Sequence, residues 1–131
     1  MADWAADDLP FRMNVGGKTL YAIPYSIHCN DTAQFFDQKA SAAEFGAVMR
    51  QQFDTLYREG AESGRVMCLS LHPHNIGRPN AAKYLDQALA YILGHDGVWN
   101  TTADDIAEYY MANHYGHVTS WIAGQKAGSA A

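Results

Sequence analysis

The run Arg65-Val-Met-Cys-Leu-Ser-Leu-His-Pro-His-Asn-Ile-Gly-Arg-Pro79 decides how this chain is read. Its first seven residues are mostly apolar and suit a strand. Alternation puts Met67, Leu69 and Leu71 on one face and Cys68, Ser70 and His72 on the other, smaller and more polar one. Two prolines and a glycine make His72 to Pro79 a loop. On the N-terminal side, Ser41 and Glu44 form an S-x-x-E capping box. Phe45, Val48, Met49, Phe53, Leu56 and Tyr57 follow as one apolar stripe at helical spacing, and Gly60 supplies a stop. Before that, Thr19 to Ile27 is rich in aromatic and β-branched residues and reads as a strand, with Pro24 marking an edge, a bulge or its end. Met1 to Gly17 reads as a loop. On the C-terminal side, a helix covers Ala81 to Leu93, with Leu85, Ala88, Leu89 and Ile92 on one side and Gly94 at its end. Val98 and Trp99 suggest a short third strand. Thr102 with Asp105 caps a third helix to about His114, with Ile106, Tyr109 and Tyr110 inward. Gly124 to Ala131 reads as a small, polar, frayed tail. The order β-α-β-α-β-α predicts an α/β fold with a parallel sheet and right-handed crossovers.

The bulk properties narrow the partners. The chain has 131 residues, enough for one domain. It carries 14 acidic and 9 basic residues, a net charge of −5, so no electrostatic drive leads it to nucleic acid or an anionic membrane. No stretch approaches the ~20 apolar residues that cross a bilayer. The acidic start lacks the basic and apolar regions of a secretory signal. Two cysteines, Cys29 and Cys68, make no disulfide framework, and a reduced, cytoplasmic setting is expected.

Ligands of parallel α/β folds gather at the C-terminal ends of strands. Two polar clusters fall there: His28-Cys-Asn-Asp31 and His72-Pro-His-Asn-Ile-Gly-Arg-Pro79. Adjacent parallel strands would set these loops side by side. A carboxylate beside an imidazole could then orient the ring and keep it a usable proton donor. Arg78 could pair with a carboxylate or steady a developing oxyanion. Plainer readings stand beside these. His72 suits a capping or packing role, Asp31 a turn, and Arg78 a loop tie. Cys29 and Cys68 suit small buried thiols, and Asp104-Asp105 a helix dipole match. His72 and His74 form an H-x-H pair with His28 as a conceivable third metal ligand, a set weakened by Pro73 and the loop.

Ser70-Leu-His-Pro-x-x-x-Gly-Arg-Pro79 resembles the last signature motif of the polysaccharide deacetylase family, in the branch of allantoinase-like enzymes, cyclic-imide hydrolases and some peptidoglycan deacetylases. Asp7-Asp-Leu-Pro10 resembles that branch's D-D-x-P segment. Pro24-Tyr25, Asn30-Asp31, Gly60-Ala-Glu62 and Trp99 to Ile106 resemble its corresponding regions. The resemblance implies a distorted (β/α) barrel and hydrolysis of non-peptide C–N bonds with zinc or another divalent metal. It makes His72 the general acid and Asp31 the carboxylate that orients it, and it lines the substrate pocket with His74, Asn75 and Arg78. The family's Thr-Phe-Asp-Asp-Gly motif, its metal-binding histidine pair and its arginine-proline motif do not occur in this sequence, so no metal ligand is assigned. Such a barrel typically takes ~250 residues. The resemblance therefore makes residues 1–116 the C-terminal part of an incomplete barrel, its last three β/α units with helices outside, and 117–131 a C-terminal tail. The expected substrate is a small amide, a cyclic imide or an N-acetyl sugar. The expected partner is an N-terminal half or a second copy. The alternative is a non-catalytic remnant or interaction module that needs such a half to complete its fold.

Overall fold

The computed structural model describes residues 8–128. The acidic start through Asp7, the first residue of the D-D-x-P segment included, and the end of the tail from residue 129 lie outside them. The described residues form a mixed α/β chain. In order come strands β1 (Phe11–Val15) and β2 (Lys18–Ala22), a 3-10 turn (Ile27–Cys29) and a π-helical turn (Ala33–Asp37), then helices α1 (Ala42–Ser63), α2 (Ala82–Leu93), α3 (Ala103–Asn113) and α4 (Tyr115–Gly128). They divide into two compact units. One is Pro24–Asn100 with the described residues before Pro10, and the other is Pro10–Ile23 with the helices from Thr101 onward.

The first unit is built on α1. Ser41 Oγ accepts from the Glu44 backbone N–H at 3.3 Å, and the Glu44 carboxylate accepts from the Ser41 N–H at 2.7 Å. These reciprocal bonds are the predicted capping box, and the Ser41 N–H holds the Glu44 carboxyl below its ordinary pKa. The helix passes Gly60 and ends a turn later at Gly64, whose φ of +36° suits a residue without Cβ. Phe45 and Met49 point into a core with Ile76, Ala81 and Ala88, and Phe35, Leu69, Leu71 and Leu85 pack around it. A Cβ at Gly46 would meet Tyr84 at 3.4 Å, so this glycine lets α2 lie close on α1. At the far end of the two helices His95 sits among rings, its centroid 4.9 Å from Phe53, 5.1 Å from Tyr57 and 4.7 Å from Tyr91.

The second unit holds a hairpin and two helices. β1 and β2 pair antiparallel, from Phe11 opposite Ala22 to Val15 opposite Lys18. Gly16 and Gly17 both have positive φ, +58° and +79°, the conformation a tight two-residue hairpin turn needs. Tyr21 meets Tyr110 and Tyr115 edge-on at 6.2 Å each, and Arg12 lies over the Tyr115 ring. Thr102 and Asp105 close the second capping box.

Several expectations need correction. Phe11–Val15 is a strand, not loop, because the Gly-Gly turn lets it fold back on β2. β2 stops at Ala22, two residues before Pro24, instead of running to Ile27. Among the described residues Arg65 to Leu71 forms no strand; it meets the rest of the chain through an isolated parallel bridge between Asn30 and Ser70 and a hydrogen bond from the Val66 N–H to the Asp8 carbonyl at 2.8 Å. Isolated contacts of this kind do not make a ladder. Val98-Trp99 joins no sheet among the described residues. The sheet that forms among the described residues is antiparallel, and their order is β-β-α-α-α-α. Tyr109 is 52% exposed and Tyr110 is the inward ring. The segment read as frayed tail is helical to Gly128. No helix among the described residues is long and apolar enough to cross a membrane.

The loop after Leu71 has a steric requirement of its own. A Cβ at Gly77 would lie 2.4 Å from the Pro73 carbonyl oxygen, far inside contact distance. Gly77→Ala is therefore expected to cost about 1–3 kcal/mol, the usual range for a forced overpacking. Urea melts of the two proteins check this, and an unchanged midpoint would show that the loop relaxes freely.

Candidate active site

The parallel bridge is what assembles the site. The Ser70 N–H donates to the Cys29 carbonyl at 2.9 Å and the Asp31 N–H donates to the Ser70 carbonyl at 3.1 Å. These bonds lay the end of the extended run against the turn that carries Asp31, so the two polar clusters meet, as adjacent parallel strands would set them. Leu69 and Leu71 pack on the core. Ser70 and His72, at the alternate positions, face the other way.

Asp31 is fully buried, while the His72 side chain is 41% exposed. The His72 ring Nδ1 lies 2.6 Å from Asp31 Oδ1, and the His72 backbone N–H donates to Asp31 Oδ2 at 2.7 Å. Asn75 Nδ2 reaches Asp31 Oδ1 at 3.5 Å and donates to Thr32 Oγ1 at 2.9 Å. Thr32 Oγ1 in turn lies 3.2 Å from His72 Nδ1. Burial alone would raise the Asp31 pKa. The hydrogen bonds from the His72 backbone, the His72 ring and Asn75 outweigh it and hold the carboxyl below its ordinary value. An ionised carboxylate only accepts, so the His72 Nδ1 carries a proton toward it. That leaves Nε2, across the ring, for chemistry with an outside group.

The other sequence candidates sit nearby in different roles. His74 stacks edge-on to His72 with centroids 5.5 Å apart. Arg78 Nε donates to the His74 carbonyl at 2.7 Å, which is the loop-tie reading of this residue. Asn75 and Arg78 also line an open groove of about 280 Å³ with Phe35, Phe36, Asn80 and Ala81; His72 and His74 do not line it. Asn75 is buried, and its Oδ1 has no hydrogen-bond partner among the described residues. His28 is exposed, and no group of three or more His, Cys, Asp or Glu among the described residues could hold a metal ion. The His28, His72 and His74 set therefore forms no such centre. Cys29 is fully buried, and burial together with nearby Cys68 pushes its thiol up to about 11. It is no nucleophile at neutral pH.

Sequence reasoning missed Thr32 and Tyr25. Thr32 links Asp31, His72 and Asn75 from the position after Asp31, where a polar turn residue carries no distinguishing signal. The Tyr25 hydroxyl lies 2.6 Å from Ser70 Oγ and accepts from Asn30 Nδ2 at 3.0 Å. Asn30 Oδ1 accepts from the Thr32 and Ala33 backbone N–H groups at 2.9 and 3.3 Å, in the manner of a helix N-cap.

Because Asp31 is more acidic folded than unfolded, its contribution to stability is complete above the unfolded pKa of about 3.9 and is lost as pH falls through the lower folded value. Asp31→Asn is expected to cost about 1.5–3 kcal/mol at pH 7, the worth of hydrogen bonds to a charged group. The gap between the two proteins should close as the pH drops below 4. Denaturant melts across that range test it, and a gap independent of pH would contradict an ionised Asp31.

No family model matches the chain. A Schizosaccharomyces pombe protein named "Putative polysaccharide deacetylase" is 32% identical over 117 residues, 85% of this chain and 36% of that protein. Among solved structures, the Puue allantoinase crystal structure superposes with a TM-score of 0.76 at 34% identity. A "probable Polysaccharide deacetylase" from Pseudomonas aeruginosa PAO1 superposes with a TM-score of 0.75 at 32% identity. Each covers 82% of this chain, which matches 37% of theirs. The chain thus spans little more than a third of the length of these relatives. In sequence and in fold alike, it is a relative of the polysaccharide deacetylase family.

Proposed function

We propose that the chain is the C-terminal portion of a polysaccharide-deacetylase-type hydrolase of non-peptide C–N bonds and that it supplies the proton for the leaving nitrogen. One observation carries this reading: the buried, ionised Asp31 holds Nδ1 of the half-exposed His72 at 2.6 Å. The names of the relatives, deacetylase and allantoinase, support the reaction class. In this reading the extended runs before His28 and His72 and at Val98 are strands of the last three β/α units of a barrel whose other strands would pair with them.

His72 acts late in the reaction. Water adds to the carbonyl carbon, its proton leaving to a base of the N-terminal portion, and then the C–N bond breaks and its electron pair goes to nitrogen. His72 enters this step as imidazolium, with a proton on each ring nitrogen; the Nε2 proton goes to the leaving nitrogen as the bond opens, and the Nδ1 proton stays in its hydrogen bond to Asp31. Asp31 keeps the ring in the tautomer and orientation that aim Nε2 outward and steadies the imidazolium before transfer. By the family resemblance Asn75 and Arg78 would contact the substrate, and His74 would flank the imidazole. The substrate is a small amide, a cyclic imide or an N-acetyl sugar.

Family members are metal-dependent, commonly on zinc. The described residues do not fit such an ion, since they bring together no ligand group of three. No step of this mechanism is therefore routed through a metal. The same observation favours a second reading, a non-catalytic interaction module that keeps the fold without the chemistry.

The two readings separate on one experiment. The chain is co-expressed with the upstream two thirds of a related deacetylase, supplied with zinc, and assayed on allantoin, a cyclic imide and an N-acetylated sugar. Hydrolysis of at least one is expected, with His72→Gln lowering kcat by about 10²–10⁴-fold, the usual share of a general acid. Unimpaired turnover by the variant would remove His72 from the mechanism. No hydrolysis of any of the three would favour the module.

A further inference from the structure

The geometry points to the Tyr25–Ser70 hydroxyl pair as a substrate-binding element that donates a hydrogen bond to the carbonyl oxygen of the amide held against His72. The inference rests on the hydrolase reading above for its substrate class, but its evidence is separate. It begins with a proton count. Asn30 Oδ1 is committed to the Thr32 and Ala33 N–H groups, which fixes the amide so that Nδ2 faces Tyr25. Nδ2 then donates to the Tyr25 hydroxyl oxygen at 3.0 Å. The Tyr25 and Ser70 hydroxyls share one hydrogen bond of 2.6 Å, in which either can be the donor. Each hydroxyl has one proton. Whichever way the shared bond runs, the other hydroxyl keeps a proton with no acceptor among the described residues.

That proton is well placed for an outside oxygen. Tyr25 is 36% exposed, so a molecule can reach it. Ser70 and His72 are alternate residues of the extended run, with Leu71 between them turned to the core. Their spacing is therefore about 6–7 Å on one face, close enough for a single small amide to touch both. The donor is also preorganised. Asn30 is anchored by the turn, Ser70 by the backbone bonds to Cys29 and Asp31, and Tyr25 by both. A donor fixed before binding needs little ordering to grip an oxygen.

The test is an NMR titration of the full chain with hydantoin, a small cyclic amide with two carbonyl oxygens, in the wild type and the Tyr25→Phe/Ser70→Ala double variant, since either single variant leaves one hydroxyl with its proton. The ligand-free Asp31 and His72 signals show that the double variant keeps its fold. Hydantoin is expected to shift the Tyr25, Ser70 and His72 signals together, and the double variant to weaken binding by about 3–10-fold, the effect of one lost hydrogen bond. Shifts at His72 without Tyr25 and Ser70, or wild-type binding by the double variant, would overturn the inference and leave the hydrolase reading intact. A response at Tyr25 and Ser70 with His72 silent would overturn it too, and would count against the hydrolase reading as well. No response at any of the three overturns the pair.

Discussion

A carboxylate with no access to water must be given hydrogen-bond donors, or burying it costs several kcal/mol. Asp31 takes most of its donors from one short stretch of chain, the backbone and ring of His72 and the amide of Asn75. The loop after Leu71 is thus tied to the turn after Cys29 by a demand that it meets together with the Thr32 hydroxyl, 3.4 Å from Asp31 Oδ1. Gly77 sharpens the same loop by allowing the chain to pass against Pro73 where a side chain would collide. Ile76, one position earlier, plants its side chain in the α1 core and pins the loop from below. Site geometry and core packing therefore share the same few residues. A core defect around Phe45 or Met49 would be felt at the imidazole without any change to Asp31.

The alternation of Leu69 and Leu71 against Ser70 and His72 was plain in the sequence, because a period of two survives wherever the backbone is extended. Both capping boxes were legible, since reciprocal side-chain and backbone bonds need only local spacing. The contact between Asp31 and His72 followed from setting two loops side by side, and the Asn30–Ser70 bridge is the fragment of parallel pairing that does so. The rest failed for identifiable reasons. The Gly16-Gly17 pair marks the end of a loop as readily as a tight hairpin turn, and only the pairing of β1 with β2 separates the two. Strand pairing is non-local, so the runs at Arg65 and Val98 could not report that they enter no sheet among the described residues. The π-helical turn at Ala33 leaves no mark in spacing. Arg78 offered two roles, and only coordinates could show its guanidinium on the His74 carbonyl.

The two ends of α1 do different work. The first turns carry Phe45, Gly46 and Met49 and hold α2 and the site loop close. The last turns carry Phe53 and Tyr57, which meet Tyr91 and His95 in a ring cluster fastened by hydroxyls: Tyr57 donates to the Asp96 carbonyl and Tyr91 to Asp54.

Cys29 lies two positions before Asp31, wholly enclosed, with its thiol pushed up to about 11. At neutral pH such a sulfur holds almost no anionic form, and the anion is what peroxides and soft electrophiles attack. Cys29 is therefore a poor target for oxidants and electrophiles, and what reactivity the cysteines have falls to its partly buried neighbour Cys68.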